Sequence, residues 1–355
     1  MYVLRWMQSS CVTTENDGGI RMAKLRLGVL YGGRSGEHEV SLVSARSVME
    51  ALDPEKYEVI PIKINKDGSW DGDLIIQPDP SIDSGLDVVF PVLHGPFGED
   101  GTIQGLLELA NIPYVGGGVA SSGAAMDKAL MRSLFAQAQL PLLNWEVVFH
   151  YEWAQDPEQV RHRLEQSLGY PIFVKPANLG SSVGISKVKS GNELGEAIEY
   201  ALLYDRKLVI EQSLVNAREI ECSILGHNRP EASVLGEIIP AHEFYDYEAK
   251  YHNEESRLII PAPLGEEITS KIRDYATKAF QAVDCSGMGR VDFFVDSQEN
   301  IFLNEINTIP GFTQISMYPK LWQESGLAYS TLLDKLIEFA LEKHEERAKL
   351  RTSAI

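Results

Sequence analysis

Acidic and amide side chains alternate along two neighbouring segments in the C-terminal part of the chain. Asp292 follows Arg290 by two positions, and Asn307 follows Glu305 by two. Side chains two apart on a strand share a face. A hairpin turn over residues 297–300 sets Asp292 opposite Glu305, and the same register sets Arg290 opposite Asn307. Two carboxylates and a carboxamide, with no His or Cys nearby, are ligands that a hard cation such as Mg²⁺ prefers.

A solvated polar hairpin face is the more common meaning of alternating charges. The metal site is favoured here because Arg290 lies in the same cluster. In addition, the second strand runs directly into an unusual loop, NTIPGFT.

A glycine-serine loop follows a short apolar strand in KPANLGSSVGISKV. Lys175 ends the strand, and the loop contains Gly180, Ser181, Ser182 and Gly184. Glycine lets backbone N–H groups approach an anion, hydroxyls donate further hydrogen bonds, and lysine supplies a charge. The order does not match GxxxxGK[ST], so this is not a Walker A loop. Alone, such a loop is more often an ordinary turn, but together with the oxygen cluster it indicates phosphate binding.

Composition limits the class of protein. The chain has 355 residues, 44% of them hydrophobic and 23% charged, which is typical of a soluble globular protein with two or three domains. No apolar run approaches the roughly 20 residues of a membrane span. The net charge of -19 argues against nucleic-acid binding. The three cysteines, Cys11, Cys222 and Cys285, have no CxxC spacing, which favours a reduced, cytoplasmic location.

The order of predicted elements gives three domains after an N-terminal extension. Residues 1–21 lack a sustained period and are expected to form a disordered extension. Alternating strands and helices in residues 22–123 predict a Rossmann-like parallel sheet with ligand-facing loops at its carboxyl edge. Residues 116–125, GGGVASSGAA, are interpreted as the joint to a second domain, 124–215. The third domain spans 216–355 and contains a long aromatic loop, which is interpreted as a lid.

Motifs from all three domains together carry a resemblance to a known family. Lys128 in MDKALM, the Lys175 loop, Glu211 with Glu219, and the metal trio resemble the ATP-grasp fold, an α/β (α+β) architecture in which ATP lies between two sheets. More narrowly, GGRSGEHEVSL, HGPFGEDG, EFYDYEAKY and NTIPGFTQISMYP resemble the D-alanine:D-alanine ligase family. The match runs from Met22 to about Leu333, with the motifs in the family's order.

This resemblance implies a reaction and its cofactors. A D-alanine carboxylate attacks the γ-phosphate of ATP to give D-alanyl phosphate, and the amine of a second D-alanine then displaces phosphate. The dipeptide serves peptidoglycan synthesis. The implied cofactors are ATP, two Mg²⁺ or Mn²⁺ ions and K⁺, and the implied assembly is a homodimer. Nucleic acids and membranes are not expected partners.

The resemblance also implies roles for individual residues. The metal ligands are Asp292, Glu305 and Asn307. The ATP-binding residues are Lys128, Lys175, Ser181, Ser182, Glu211, Gln212, Leu214, Glu219 and Lys250. The catalytic residues are Glu37, Ser181, Tyr251, Arg290, Gly311 and Ser316. The substrate-binding residues are Glu37, His94, Arg290, Ser316 and Met317.

Alternative interpretations remain open from the sequence. Glu37 also suits a first-turn helix acid favoured by the macrodipole, and Tyr251 suits surface packing equally well. Relatives that make D-alanyl-D-lactate typically carry Phe or His at the position of Tyr251, so tyrosine favours the dipeptide product. The alternative functions are another ATP-grasp ligase, a nucleotide-dependent regulator with the same fold, and a dehydrogenase.

Overall fold

A computed structural model describes residues 23–239 and 257–351. The predictions for the 1–21 extension, Cys11, Lys250 and Tyr251 lie outside these residues, as does most of the predicted lid loop. In the part of the chain that the structure describes, every helix is too short or too polar to span a membrane.

The N-terminal sheet is parallel, as the sequence predicts. Its strands are β1 (Leu25–Gly32), β2 (Tyr57–Ile64) and β3 (Val88–Val92), in the order β2-β1-β3. A single parallel bridge between Tyr114 and Val89 adds residue 114 to the edge of this sheet next to β3. The helices of this region are α1 (His38–Ala51), α2 (Thr102–Leu109) and α3 (Val119–Met126).

Helix α3 occupies most of the run that was interpreted as a domain joint. Its sequence, VASSGAAM, contains small residues whose side chains lose little freedom in a helix. Of the run 116–125, only Gly116 to Gly118 lie before the helix. The domain boundaries at 123/124 and 215/216 stay predictions.

The second region contains a four-stranded antiparallel sheet in the order β4-β7-β5-β6. Its strands are β4 (Trp145–Phe149), β5 (Ile172–Pro176), β6 (Ser186–Val188) and β7 (Lys207–Gln212). Its helices are α4 (Lys128–Gln137), α5 (His150–Gln155), α6 (Pro157–Ser167) and α7 (Gly191–Leu202). Alternate residues of β5 face opposite sides, because Ile172 and Val174 are buried in the core while Phe173 and Lys175 line a cleft.

The third region contains a five-stranded antiparallel sheet in the order β10-β9-β8-β11-β12. Its strands are β8 (Arg218–Gly226), β9 (Glu231–Ile239), β10 (Arg257–Ile259), β11 (Gly287–Val295) and β12 (Ile301–Asn307). Its helices are α8 (Glu266–Ala282), α9 (Met317–Glu324) and α10 (Tyr329–Ala348). Apolar residues of β8 and β11, including Ile220 and Val291, share a core with Ile272 and Phe280 of α8. The polar residues of β11 therefore face the opposite side.

The hairpin of β11 and β12 has the predicted register at the polar cluster. Asp292 pairs with Glu305, and Arg290 pairs with Asn307. The next pair is Phe293 with Leu303, so a bulge places one extra residue, Asn304, in β12. Because of this bulge, Asn304 and Glu305 both line the cleft although they are consecutive. Strict alternation along β12 did not predict that.

The C-terminal helix α10 packs on the first sheet. Leu332 and Leu336 share a buried cluster with Val29 of β1 and Phe90 of β3. The loop after β12 joins the same cluster through Phe312, whose ring centroid lies 5.7 Å from that of Phe90. The end of the β11–β12 hairpin is therefore fixed against the N-terminal sheet.

Candidate active site

A cleft of about 390 Å³ lies between the two antiparallel sheets. Eleven of the predicted site residues line it: Lys128, Lys175, Ser181, Ser182, Glu211, Gln212, Leu214, Glu219, Arg290, Asp292 and Glu305. Apolar side chains line it as well, among them Phe173, Ile185 and Phe294. The mixture of cations, anions and aromatic surface suits a ligand that has both a charged end and a planar apolar end.

The glycine-serine loop has a strained backbone and is held by a lysine. Ser181 and Ser182 have φ values of 51° and 60°, in the left-handed region that non-glycine residues seldom occupy. Lys128 Nζ donates to the carbonyl oxygen of Leu179 at 2.6 Å. Lys128 begins α4, so this helix fixes the start of the loop. A backbone held in this way presents its N–H groups in one arrangement.

A buried ion-pair group lies in the wall of the cleft on β7. Glu211 is only 2% exposed, and its carboxylate contacts both Lys175 and Arg132. Arg132 is on α4, one turn after Lys128, and was not predicted as a site residue. The i, i+4 spacing of Lys128 and Arg132 was the available signal. This group fixes the side chain of Lys175 at the edge of the cleft.

Three carboxylates lie side by side across three strands of the five-stranded sheet. Glu221 of β8 pairs with Asp292 of β11, which in turn pairs with Glu305 of β12. Glu221 was not predicted as a site residue, although its spacing of two from Glu219 was the available signal. Arg290 compensates this charge. Its Nε and Nη2 donate to the two oxygens of Asp292 at 2.8 and 2.7 Å, and Nε lies 3.1 Å from Glu221.

The electrostatics of this row keep Arg290 charged. Burial lowers the pKa of Arg290, but the negative charges of Asp292, Glu221 and Glu305 outweigh burial and raise it above its ordinary value. A fixed cation next to three acids can orient an anionic ligand and compensate developing negative charge.

The donor set of the hairpin fits a hard cation in chemical type. Asp292 and Glu305 offer carboxylate oxygens, and Asn307 Oδ1 accepts only one backbone hydrogen bond in the described chain, from Ile309 N at 3.0 Å. An amide oxygen has two lone pairs. Within 23–239 and 257–351, no group of three or more His, Cys, Asp or Glu side chains is arranged to hold a metal ion. The fit rests on donor type alone: carboxylate and amide oxygens suit an ion such as Mg²⁺, which also takes ligands from water and nucleotide phosphates.

Glu37 links the N-terminal sheet to the glycine-serine loop. Its Oε1 accepts a hydrogen bond from Ser181 Oγ at 2.5 Å, across 144 residues of sequence. Glu37 is the N-cap of α1, but its side chain accepts no capping hydrogen bond from the described helix. A Cβ at Gly95 would lie 2.7 Å from Glu37 Oε2. The carboxylate thus lies between HGPFGEDG and the glycine-serine loop, which argues against a simple first-turn acid.

His94 is buried and connects three elements. Its Nδ1 lies 3.1 Å from the carbonyl oxygen of Ile309, and its Nε2 lies 3.2 Å from Ser44 Oγ. A carbonyl only accepts, so Nδ1 carries the proton and Nε2 accepts from the hydroxyl. Burial lowers the pKa of His94, and the nearby charge of Glu37 offsets this only in part. The ring is therefore neutral and tethers the NTIPGFT loop to the N-terminal sheet.

The loop after β12 ends at the N-terminus of α9. Ser316 is the N-cap residue of this helix, and its Oγ accepts from the backbone N–H of Thr313 at 3.1 Å. A Cβ at Gly311 would lie 3.1 Å from Ser316 Oγ, so glycine permits this close turn. Met317 is buried with Ile238 and Leu321. The side chain of Met317 therefore packs in the protein core.

Glu99 is a further acid near Glu37 that the sequence analysis did not select. Its Oε2 accepts from the backbone N–H of Gly95 at 2.8 Å. Burial, followed by the charge of Glu37, raises the pKa of Glu99 well above its ordinary value. A protonated carboxyl beside a charged one can share the same small site without like-charge repulsion.

Comparisons with known proteins identify the family of the chain. Two family models match the chain, "D-ala D-ala ligase N-terminus" over residues 26–81 and 75–117 and "D-ala D-ala ligase C-terminus" over 134–338. The D-alanine--D-alanine ligase of Natranaerobius thermophilus is 52% identical over 93% of this chain and 99% of its own length. That of Geobacillus thermodenitrificans is 49% identical over 91% and 97%.

Solved structures give the same relationship. The D-alanine-D-alanine ligase from Coxiella burnetii superposes with a TM-score of 0.81 at 38% identity, covering 92% of this chain and 96% of that chain. The VanG D-Ala:D-Ser ligase from Enterococcus faecalis also gives a TM-score of 0.81, at 35% identity, covering 90% and 100%.

Proposed function

The chain belongs to the D-alanine–D-alanine ligase family, and we propose that its two substrates and ATP meet in and beside the cleft between the two antiparallel sheets. The enzyme is an ATP-dependent ligase that joins two D-alanines into a dipeptide for peptidoglycan synthesis. The observation that carries the proposed location is the 2.5 Å hydrogen bond between Ser181 and Glu37. It brings the expected ammonium anchor next to the expected phosphate loop.

Charge neutralisation is the first task of the site. The attacking D-alanine carboxylate and the γ-phosphate are both anionic, so they approach each other only where cations compensate the charge. Lys128 and Lys175 line the cleft, and we assign them, with Lys250, to the phosphates of ATP. Attack of a carboxylate oxygen on phosphorus releases ADP and leaves D-alanyl phosphate.

Stabilisation of the acyl-transfer step is the second task. The amine of the second D-alanine attacks the carbonyl of D-alanyl phosphate, and negative charge develops on the carbonyl oxygen before phosphate leaves. We assign this oxygen to the Arg290 guanidinium and the backbone N–H of Gly311. Arg290 suits that role because the surrounding acids keep it charged and fixed.

The two D-alanines need separate anchors. Glu37 is assigned to the ammonium group of the first, with His94 holding the neighbouring loops in place. Ser316 and the backbone of Met317 are assigned to the carboxylate of the second. Support for this comes from their position at the N-terminus of α9, where the helix macrodipole favours an anion.

The remaining assignments concern cofactors and assembly. Asp292, Glu305 and Asn307 would hold Mg²⁺ or Mn²⁺, which when bound neutralise phosphate charge. We extend the proposal to K⁺ dependence, a homodimer and a cytoplasmic location. The location is supported by Cys222 and Cys285, which are buried free thiols whose pKa values burial raises to about 12. Sedimentation and activity with and without K⁺ test these points.

A substrate panel tests the function. Phosphate release with Mg-ATP is measured against D- and L-amino acids and D-lactate, and each product is identified by mass. D-serine is included because the solved VanG protein is a D-Ala:D-Ser ligase. Release that depends on D-alanine and yields D-alanyl-D-alanine is the expected result. Release without D-alanine, or a different preferred acid, would contradict it.

A further inference from the structure

A buried arginine lies in the wall of the cleft, next to the predicted ATP-binding residues. Arg132 is 3% exposed and Glu211 is 2% exposed, whereas Lys175 reaches the cleft and is 12% exposed at its side chain. Arg132 Nη2 contacts Glu211 Oε2, and Lys175 Nζ contacts Glu211 Oε1. Each oxygen of one buried carboxylate thus has its own cationic partner.

This arrangement creates a problem when phosphates enter the cleft. Lys175 is assigned to those phosphates, so it must turn at least part of its charge away from Glu211. A buried carboxylate that loses its partner is strongly unfavourable, because the protein interior cannot solvate the charge. Without a second cation, Glu211 and the phosphates would compete for the same lysine.

We propose that Arg132 is a positioning residue for ATP: it compensates Glu211 from within the protein and so allows Lys175 to engage the phosphates. This inference rests on the proposed function of the cleft, in which Lys175 binds ATP. It assigns to Arg132 an effect on nucleotide affinity although Arg132 itself need not touch the nucleotide.

The surroundings of Arg132 favour this role over simple packing. Its Nε and Nη1 are buried and have no hydrogen-bond partner among the residues that the structure describes. A buried ion pair is commonly replaced by apolar residues without loss of stability, so packing alone does not explain an arginine here. Burial lowers the pKa of Arg132 to about 10 although the charge of Glu305 opposes this shift, and the guanidinium therefore stays protonated at neutral pH.

The test is a double-mutant cycle read by ATP binding. The dissociation constant of ATP is measured by calorimetry in the full-length parental protein, Arg132→Gln, Glu211→Gln and the double variant. Arg132→Gln should weaken ATP binding at least tenfold, because Lys175 then stays with Glu211. In the Glu211→Gln background the same substitution should change affinity by less than threefold, because no buried anion is left to compensate.

Further variants separate the role of the charge from other effects. Arg132→Lys keeps the charge and should restore most of the affinity, and Arg132→Met repeats the test if the glutamine variant does not fold. Lys278→Gln removes one exposed positive charge from α8 and should leave ATP binding unchanged. Steady-state kinetics should show a raised KM for ATP with a smaller change in kcat.

Two results would overturn the proposal: an unchanged dissociation constant in Arg132→Gln, or an equal loss in both Glu211 backgrounds. Failure of the proposed function would look different. In that case the parental protein would release no phosphate in response to D-alanine, whatever the variants bind.

Discussion

Removal of the Ser181 hydroxyl should weaken catalysis by breaking the link between the two halves of the site. Ser181 Oγ donates to Glu37 Oε1 at 2.5 Å, the distance of a hydrogen bond to a charged carboxylate. Such a bond contributes about 1.5–3 kcal/mol, which corresponds to about 10- to 150-fold in rate. Ser181→Ala should therefore lower kcat/KM for D-alanine by that factor in a phosphate-release assay with saturating ATP.

A comparison with glycine separates the hydrogen bond from backbone strain. Ser181 has a φ of 51°, which costs a non-glycine residue about 1–2 kcal/mol. Ser181→Gly relieves that strain but also lacks the hydroxyl, so it should lose as much activity as Ser181→Ala. In a Glu37→Gln background, the loss of kcat/KM that Ser181→Ala causes should be smaller. Activity of Ser181→Ala within about twofold of the parental protein, or recovery in Ser181→Gly, would show that the Ser181–Glu37 hydrogen bond does not support catalysis.

Three further predictions follow from the neighbouring residues. Neutral His94 has a lowered pKa, whereas the unfolded chain takes up a proton near 6.5. Its contribution to stability is therefore full above that pH and is lost below it, and His94→Asn should flatten the fall in melting temperature between about pH 7 and 5. Gly95→Ala places a Cβ 2.7 Å from Glu37 Oε2 and should raise KM for D-alanine about tenfold or more. Gly72→Ala is the control, because Gly72 has a similar positive φ but open space around it, and this substitution should only reduce stability. Tyr251→Phe should admit D-lactate as second substrate, and absence of the depsipeptide from its product mass spectrum would count against that.

The sequence predicted the hairpin because strand alternation is a local property. The spacing of Arg290 and Asp292 on β11 and the pairing with Glu305 follow from the period of two and the turn. The bulge at Asn304 could not be predicted in this way. One extra residue changes which face the following side chains take, and only packing against the neighbouring strand and helix determines where it lies.

Residues that act through tertiary contacts were also missed. Arg132 and Lys128 are four apart on α4, which in a sequence reads equally well as a solvated basic face. Only the fold brings Arg132 to Glu211, 79 residues away. Glu221 was missed for a related reason. It belongs to the site only because it pairs with Asp292 in the next strand. The resemblance to the family predicted the residues that have known roles in that family. Arg132 and Glu221 were missed because they act on those residues through their charge.

Substitution of the two acids in the β11–β12 hairpin shows whether Asp292 and Glu305 hold the divalent ion that we propose the reaction needs. Asp292→Asn and Glu305→Gln are compared with Glu299→Gln, which removes an exposed negative charge from the turn of the same hairpin. D-alanine-dependent phosphate release is measured against Mg²⁺ concentration, after circular dichroism shows that each variant is folded. Asp292→Asn and Glu305→Gln should each lower the rate by about 100-fold or more and raise the Mg²⁺ requirement, whereas Glu299→Gln should do neither. Parental rates and an unchanged Mg²⁺ dependence in folded Asp292→Asn and Glu305→Gln would contradict this prediction.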